Sequence, residues 1–409
     1  MNLLFIASIL TLHPSQTKIA RHGTLSIANL TACEKDNAIK KIADGINKFT
    51  DLIAQEIVRT EKSNFVFCPL SAALTLHLAS FGTTGTSRKI MQSLLPPTVF
   101  HSTDPEPACV HQVGVKRLIE KMSKYADSGL KTVNEIYVTE SSTLAKIYKD
   151  VIDYLGVKTT LVNDDPAATG NALDDNCRGN MENAINDVSS SLDISDETKI
   201  IITCAVLFKG MWLKKFNLEK SQKDFYVKGI HSEKRTFISI TGKFNNGEES
   251  GYTWVEIPYA SKPGFELSMM IILPKNTPDS ARIVSKDYVN NLFIEDLLAK
   301  GRSSGIHIEL PKFEIKSANF DMYKILNKMS YSKELFHKKY TKMPMLEKTG
   351  LRFHKFVLST VITVDENGKE DIGEPPIAEY EFIANRPFLA IIFTRDEYKI
   401  KTFVARYSG

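Results

Sequence analysis

The first part of the chain carries a helical pattern of apolar positions. From Ala38 to Ile57 apolar residues recur at spacings of three, four and seven, which predicts an amphipathic helix with one buried face. A short β-type run follows at 64–68, and Pro69 ends it. Ser71 then stands where a hydroxyl can cap an apolar helix over 72–81.

Runs of β-branched and aromatic residues dominate the second half of the chain, and helical patterns lie between some of them, notably at Asn319–Met329. Early helices and late strands predict an α+β fold rather than a doubly wound sheet. No repeat or low-complexity linker divides the chain, so we predict one domain over 38–409. The predicted strands are Thr132–Thr139, Ile200–Phe208, Thr236–Ile240, Thr253–Pro258, Leu267–Leu273, Ile306–Ile315, Phe356–Val364, Phe388–Phe393 and Thr402–Ala405.

The composition and motifs of the chain argue against several classes of function. The chain has 409 residues, of which 43% are apolar, so it can bury a large core. A net charge of +4 argues against nucleic acid as the main partner. The five cysteines form no CxxC pair, and no nucleophile elbow, zinc-binding helix or nucleotide fingerprint occurs. We therefore predict a protein that is not an enzyme and holds no cofactor or metal, while the state of the cysteines stays open.

Two histidines lie in a segment rich in Pro, Thr and His. Residues 98–113 predict a loop, and His101 and His111 are ten residues apart within it. No helix or strand would bring such a pair to one face, so they are interpreted as ordinary exposed histidines.

The N-terminus carries a short apolar run at 3–12, long enough for a signal-peptide core and too short to span a bilayer as a helix. We interpret 1–20 as a secretory signal and 21–37 as a flexible segment; the alternative is a buried N-terminal strand. Asn29 begins an Asn-Leu-Thr glycosylation acceptor in that segment. These features predict a secreted, extracellular, soluble protein.

A series of short motifs resembles one family, the serpins, from about Ala38 to Tyr407. The resemblance implies three β-sheets and about nine helices. It also implies an exposed reactive loop between a strand ending near Glu366 and a strand beginning at Phe388. The motifs are Asn64-Phe-Val-Phe-Cys-Pro-Leu-Ser71, Val133-Asn-Glu-Ile-Tyr137, Phe208-Lys-Gly-Met-Trp212 with Phe216, Ile257-Pro-Tyr259, Leu310-Pro-Lys-Phe313, His354-Lys355, Val364-Asp-Glu-Asn-Gly368 and Asn385-Arg-Pro-Phe388.

The resemblance also implies a mechanism with physical requirements. A protease attacks the loop as a substrate, and the cleaved N-terminal portion inserts into the main sheet as an extra strand. Insertion is favourable because the starting fold is metastable. It requires small residues at the hinge, free backbone N–H groups and sufficient length.

The hinge of this chain departs from that requirement. After Glu366 and Gly368 it carries charged residues where the family's inhibitors have Gly-Thr-Glu and alanines. In an inserted strand Lys369, Asp371 and Gly373 would share the inward side. Burying unpaired charge costs several kcal/mol, so smooth insertion is disfavoured.

The loop that follows is stiff and short. Pro375 and Pro376 remove two consecutive N–H donors from a strand that would be central. Phe382 lies 14 residues after Gly368. A fully extended chain of that length spans only about 46 Å. Counted back from Phe382, the cleaved bond falls near Glu374–Pro375; counted forward from Gly368, it falls at Phe382.

We predict a secreted, monomeric serpin that no longer traps proteases and that binds a protein or small ligand through its loop. The candidate loop contacts are Glu374, Pro375, Pro376 and Tyr380. The alternative is an extracellular serine or cysteine protease inhibitor with Lys369 or Tyr380 as bait. Neither reading involves nucleic acid or a membrane.

Overall fold

The computed structural model describes residues 3–4, 32–61, 63–83, 90, 94–95, 107–185, 187–228, 231–275, 294–328, 345–346, 353–370 and 374–409. Within these ranges there are seven α-helices, with short 3-10 turns at Ala126–Ser128 and Ser189–Ser191. The helices are α1 (Ala32–Thr60), α2 (Pro69–Phe81), α3 (Pro107–Ser123), α4 (Lys146–Leu155), α5 (Pro166–Asn180), α6 (Ile294–Lys300) and α7 (Met322–Lys328).

The strands of the described ranges form three sheets, so the predicted α+β class is confirmed. They are β1 (Leu3–Leu4), β2 (Phe65–Phe67), β3 (Leu130–Thr139), β4 (Lys158–Val162), β5 (Ile200–Phe208), β6 (Asn217–Leu218), β7 (Lys223–Lys228), β8 (His231–Arg235), β9 (Phe237–Glu248), β10 (Tyr252–Pro258), β11 (Leu267–Pro274), β12 (Arg302–Pro311), β13 (Phe313–Asp321), β14 (Phe353–Lys355), β15 (Val357–Val364), β16 (Tyr380–Ile383), β17 (Phe388–Thr394) and β18 (Lys401–Tyr407).

The two large sheets contain seven and nine strands. In the seven-stranded sheet β4, β3 and β5 are neighbours, and β15 and β13 continue beyond β5. The nine-stranded sheet runs β16-β12-β9-β10-β11-β17-β18-β2, with β6 beside β9. One continuous core of buried apolar residues lies between the sheets and helices, which is typical of a single cooperative unit. The third sheet is the pair β7-β8.

Strand β5 has two different neighbours along its length. Thr360 to Ile362 of β15 pair in parallel with Val206 to Phe208. Near the N-terminal end of β5, Leu4 of β1 pairs with Ile201, and β1 also pairs with β14. A strand at Leu3–Leu4 agrees with the alternative reading of the N-terminus over these two residues; 5–31, including Asn29, lie outside the described residues.

Helix α2 begins earlier than predicted because a different residue caps it. The Cys68 Sγ accepts a hydrogen bond from the Ser71 backbone N–H at 3.4 Å, and Pro69 occupies the first turn, where a missing N–H costs nothing. Ser71 is buried inside the helix, so the prediction that it caps the helix is wrong.

Helix α3 corrects the predicted loop at 98–113. Its first half covers 107–113, because Val110 and Val113 pack against Ala38 of α1. His111 is half-buried, and its Nε2 lies 2.8 Å from Nδ1 of the buried His77. The interpretation of His111 as an ordinary exposed histidine is therefore wrong, while His101 lies outside the described residues.

Two boundaries in the last third of the chain differ from prediction. The single strand predicted over 306–315 is two strands, because β12 and β13 belong to different sheets and part at Lys312. The helix predicted from Asn319 begins at Met322, since Phe320 and Asp321 still pair with β15.

Candidate functional site

The connection from β15 to β16 joins the two large sheets. Strand β15 lies in the seven-stranded sheet, and β16 is the edge strand of the nine-stranded sheet, paired in parallel with β12. The structure describes this connection in two parts. We call 365–370 the hinge arm and 374–379 the outer loop.

The hinge arm is hydrogen-bonded to the extended segment that follows β5. Four backbone bonds join the two segments, so the hinge runs beside this segment and not between the strands of the sheet. The bonds run from Trp212 N to Asn367 O (2.9 Å), Lys369 N to Trp212 O (3.1 Å), Lys215 N to Lys369 O (2.8 Å) and Phe216 N to Glu366 O (3.1 Å).

Trp212 supports the hinge arm from below. Its ring is 1% exposed and stacks on Tyr259 with centroids 4.4 Å apart and planes 9° apart. Its indole Nε1 donates to the backbone oxygen of Asp365 at 2.7 Å. A buried indole N–H needs such a partner, so the same side chain fills the core and holds the start of the hinge.

Gly368 permits the close approach of these two segments. A Cβ at this position would lie 2.7 Å from both N and Cα of Lys215. Atoms of the main chain cannot give way as a flexible side chain can, so a larger residue would push the segments apart.

Two ion pairs flank the hinge arm. Lys312 Nζ lies 2.8 Å from Glu366 Oε2, and Lys215 Nζ lies 2.6 Å from Glu370 Oε1. The hydrogen bond from Lys312 lowers the pKa of Glu366, and the hydrogen bond to Glu370 raises the pKa of Lys215. Exposed pairs of this kind contribute little energy, so they orient the arm more than they stabilise it.

The outer loop is exposed along most of its length. Ile377 is 92% exposed, and Glu374, Pro375, Ala378 and Glu379 are also exposed. Pro376 is half-buried. An isoleucine so fully in water is unusual, because burying it would be favourable by about 2 kcal/mol.

The loop returns to the sheet over Gly305. Glu379 N donates to Gly305 O at 2.8 Å, and Gly305 N donates to Glu379 Oε1 at 3.2 Å. A Cβ on Gly305 would lie 2.3 Å from Ile377 O. This glycine therefore lets the loop lie flat on β12 with the Ile377 side chain directed into solvent.

Tyr380 belongs to the sheet and not to the free loop. It is the first residue of β16, and its hydroxyl is bonded to Ser304 and Asn246. Arg302 lies over its ring, 5.7 Å from the centroid. Phe382, where the forward count places the cleaved bond, is buried and pairs with Ile308.

The structure brings most of the predicted site residues into this one connection. Glu366, Gly368 and Lys369 lie in the hinge arm, and Glu374, Pro375 and Pro376 lie in the outer loop. Asp371 lies outside the described residues.

Sequence analysis assigned no site role to four residues, although it quoted Trp212 within a family motif. They are Trp212, Lys215, Gly305 and Ile377. Ile377 could have been found, because it follows a proline pair in a polar stretch and has no strand pattern around it.

Over the described ranges, no group of three or more His, Cys, Asp or Glu side chains is placed to hold a metal ion. In the same part of the chain no helix is long and apolar enough to cross a membrane.

Comparison with known proteins decides the family. The family model described as "Serpin (serine protease inhibitor)" matches residues 44–408. The chain belongs to the serpin family. The resemblance seen in the sequence motifs is thereby confirmed, and the family is described as one of serine protease inhibitors.

Individual relatives are distant but cover nearly the whole length. An uncharacterized serpin-like protein of Thermococcus kodakarensis is 25% identical, over 94% of this chain and 89% of its own. Alpha-1-antiproteinase of Ovis aries is 24% identical, over 96% of this chain and 94% of its own. The crystal structure of the mouse protein-Z dependent protease inhibitor matches with a TM-score of 0.76 and 20% identity, covering 91% of this chain and 98% of that one.

Proposed function

We propose that this serpin no longer traps proteases by loop insertion and that it acts by binding another protein through the outer loop. In this proposal the chain is secreted and monomeric, catalyses no reaction and uses no cofactor. The bound hinge arm is the observation that carries the proposal. The apolar run at 3–12 is the support for secretion.

The hinge contacts support a loss of insertion. To enter the sheet, the arm would have to break its four backbone bonds to the 212–216 segment and part β5 from β15. The strand that would enter carries Lys369 and, further on, two consecutive prolines. Each proline lacks a backbone N–H, so the inserted strand would lose one hydrogen bond to its neighbour at each of them. Burying the Lys369 ammonium without a partner would raise the free energy of the inserted state by several kcal/mol.

The outer loop supports a binding role. Pro375 fixes its own φ and restricts Glu374 before it, so the loop loses less conformational freedom when it is bound. Ile377 is 92% exposed and offers an apolar anchor of the kind that fills a pocket on a partner. Both features favour recognition by contact rather than by cleavage.

The charges around Ile377 indicate the partner's surface. Glu374, Glu379 and Glu381 are exposed on either side of it. A complementary partner would present an apolar pocket with lysine or arginine at its rim. The pair at Lys369 and Glu370 is charge-neutral and adds nothing to this preference.

The alternative function is inhibition of a protease by the family's mechanism. The family description and the exposed outer loop favour it, because a protease could reach the bond after Ile377. The bond at Glu374–Pro375 is a poor substrate, since few proteases cleave before proline.

Incubation with proteases distinguishes the two functions. The purified chain is mixed with trypsin-like, chymotrypsin-like and elastase-like enzymes and analysed on denaturing gels. We expect clipping or no reaction. A band at the summed mass that survives SDS would establish covalent trapping and contradict the proposal.

A matched variant makes a negative result informative. In this variant Lys369→Thr, Asp371→Ala, Pro375→Ala and Pro376→Ala together give the loop a hinge that can insert. If the repaired variant forms the stable band and the natural chain does not, the hinge residues are the cause. A stable band from both would again contradict the proposal.

A further inference from the structure

The dipeptide Asn-Gly occurs twice in the chain, at Asn246–Gly247 and at Asn367–Gly368. This dipeptide is chemically reactive, because the backbone nitrogen of the glycine can attack the side-chain amide carbon of the asparagine and close a five-membered ring. A side chain on the second residue would hinder that approach, and glycine has none. Whether a given copy reacts therefore depends on how the fold holds it.

The copy at Asn246–Gly247 is fixed inside the nine-stranded sheet. It lies in β9, whose backbone here is paired with β10 on one side and β12 on the other. Asn246 is buried, and its Nδ2 donates to Arg302 O at 2.8 Å and to Ser304 Oγ at 2.7 Å. Its Oδ1 accepts a hydrogen bond from the Tyr380 hydroxyl. Ring closure at this copy would require the sheet to open locally first.

The copy at Asn367–Gly368 leaves the attacking nitrogen free. Trp212 pairs in parallel with Gly368, so its two backbone bonds go to the residues on either side, from Trp212 N to Asn367 O and from Lys369 N to Trp212 O. The N–H of Gly368 is directed away from Trp212 in this pattern. Among the described residues it donates to no backbone group. Asn367 itself is exposed to solvent.

The side chain of Asn367 is held by a single neighbour. Its Nδ2 donates to Asp365 Oδ2 at 2.7 Å, and its backbone N donates to Asp365 Oδ1 at 2.9 Å. Exposed hydrogen bonds of this kind exchange readily with water, so the amide can turn towards Gly368 at little cost. The two copies of the dipeptide thus differ in burial, in backbone pairing and in the number of groups that hold the amide.

We propose that Asn367 is a site of spontaneous deamidation that loosens the hinge arm. The Gly368 nitrogen loses its proton and bonds to Asn367 Cγ, and the side-chain nitrogen takes up a proton and leaves as ammonia. Water then opens the ring at one of its two carbonyl carbons. Opening at Cγ gives aspartate, and opening at the backbone carbonyl carbon gives isoaspartate. One water is consumed and one ammonia is released, with no change of oxidation state.

Either product weakens the contacts that hold the hinge arm. An aspartate at this position cannot donate to Asp365 and places a second negative charge beside it. An isoaspartate adds one carbon atom to the main chain between the two residues that bond to Trp212, so the spacing of those bonds no longer matches. The reaction concerns the hinge arm alone, so it holds or fails independently of binding through the outer loop.

Peptide mapping tests the reaction directly. The full-length folded chain is incubated in mildly alkaline buffer made with water enriched in heavy oxygen, and a second sample is incubated in urea. Mass spectrometry then measures amide-to-acid conversion at each Asn-Gly copy, relative to the rate of the same copy in urea. In the folded chain we expect Asn367 to react at least about ten times faster than Asn246. An Asn367 that reacts only in urea, or equal relative rates at the two copies, would overturn the proposal.

Hydrogen exchange tests the effect on the hinge arm. Incubation of the natural chain should raise the amide exchange rate at Lys369 severalfold, in step with the conversion. Asn367→Gln is the matched control, because its amide is one carbon further from the Gly368 nitrogen; it should neither convert nor change its exchange. Asn367→Asp should exchange faster at Lys369 before any incubation. A converted chain whose Lys369 exchanges at the original rate would contradict the loosening.

Discussion

The two parts of the connection between β15 and β16 differ in what holds them. The hinge arm has four backbone bonds to the 212–216 segment and a buried tryptophan beneath it. The outer loop has an exposed Pro375, a half-buried Pro376 and an isoleucine that is 92% exposed. The connection is therefore fixed where the family's mechanism requires movement and exposed where recognition requires access. This contrast supports the proposal that the loop binds a partner and does not insert.

The largest effect on the hinge arm is expected from Trp212→Ala. The change removes a buried ring stacked on Tyr259 and leaves Asp365 O without its indole donor. We expect the free energy of unfolding to fall by about 3–5 kcal/mol, measured by chemical denaturation. Met211→Ala is the control, because Met211 is half-exposed and its loss should cost under about 0.5 kcal/mol. Equal losses for both variants would contradict the role given to Trp212.

Acidification should lower the free energy of unfolding through the buried His77 of α2 before it affects the ion pair at the hinge arm. Burial lowers the pKa of His77 to about 3, against 6.5 in the unfolded chain. The unfolded state therefore binds the extra proton between these values, and stability falls as pH falls below 6.5, by about 1.4 kcal/mol per pH unit.

Denaturation at a series of pH values measures this slope. His77→Gln should remove it, while His231→Gln should leave it unchanged because His231 is exposed. A slope that survives in the His77 variant would assign the acid sensitivity to other groups.

A smaller loss is expected from Gly368→Ala. Its new Cβ would meet the main chain of Lys215 at 2.7 Å and force the two segments apart. We expect a loss of about 1–3 kcal/mol in unfolding free energy and faster amide exchange at Lys369. Gly179→Ala, within helix α5, has no neighbour within 4 Å and should cause no loss of stability, because alanine favours a helix by up to about 1 kcal/mol over glycine. Unchanged exchange at Lys369 would mean that the approach at Gly368 does not hold the arm.

The ion pair between Lys312 and Glu366 should contribute less to the unfolding free energy than the close approach at Gly368. Glu366→Gln removes the charge that faces Lys312 and should cost no more than about 1 kcal/mol. Because the folded pKa of Glu366 lies below its ordinary value of 4.5, this contribution is present above pH 4.5 and is lost as pH falls through the folded pKa. Comparing the two chains by denaturation at neutral and acid pH measures it; a difference that grows on acidification would contradict the assignment.

A substitution in the outer loop, unlike those in the hinge arm, should leave the stability of the fold nearly unchanged. Ile377→Ala removes a side chain that contacts almost nothing, so the unfolding free energy should change by less than about 0.5 kcal/mol. A clear loss of stability would mean that Ile377 packs against the protein in solution, and the contrast between the two parts would fail.

Prediction from sequence succeeded where the pattern is local. The β-branched run over Ile200–Phe208 marks β5 at both ends, and the apolar spacing identifies α1. The site was predicted less completely, because its contacts join residues distant in sequence. Trp212 donates a hydrogen bond to Asp365, which lies 153 residues later in the chain. Gly305 leaves room for the backbone of Ile377 because it has no side chain. Neither relation leaves a periodic signal.

The measurement that tests the central claim most directly is the Tm of the chain before and after cleavage within 374–379. A protease that cuts after Ile377 frees the arm, and only an arm that enters the sheet would add a strand and stabilise the fold. We predict that Tm stays the same or falls slightly. A large rise after cleavage would show that the hinge leaves the 212–216 segment and inserts, which would contradict the proposed loss of trapping.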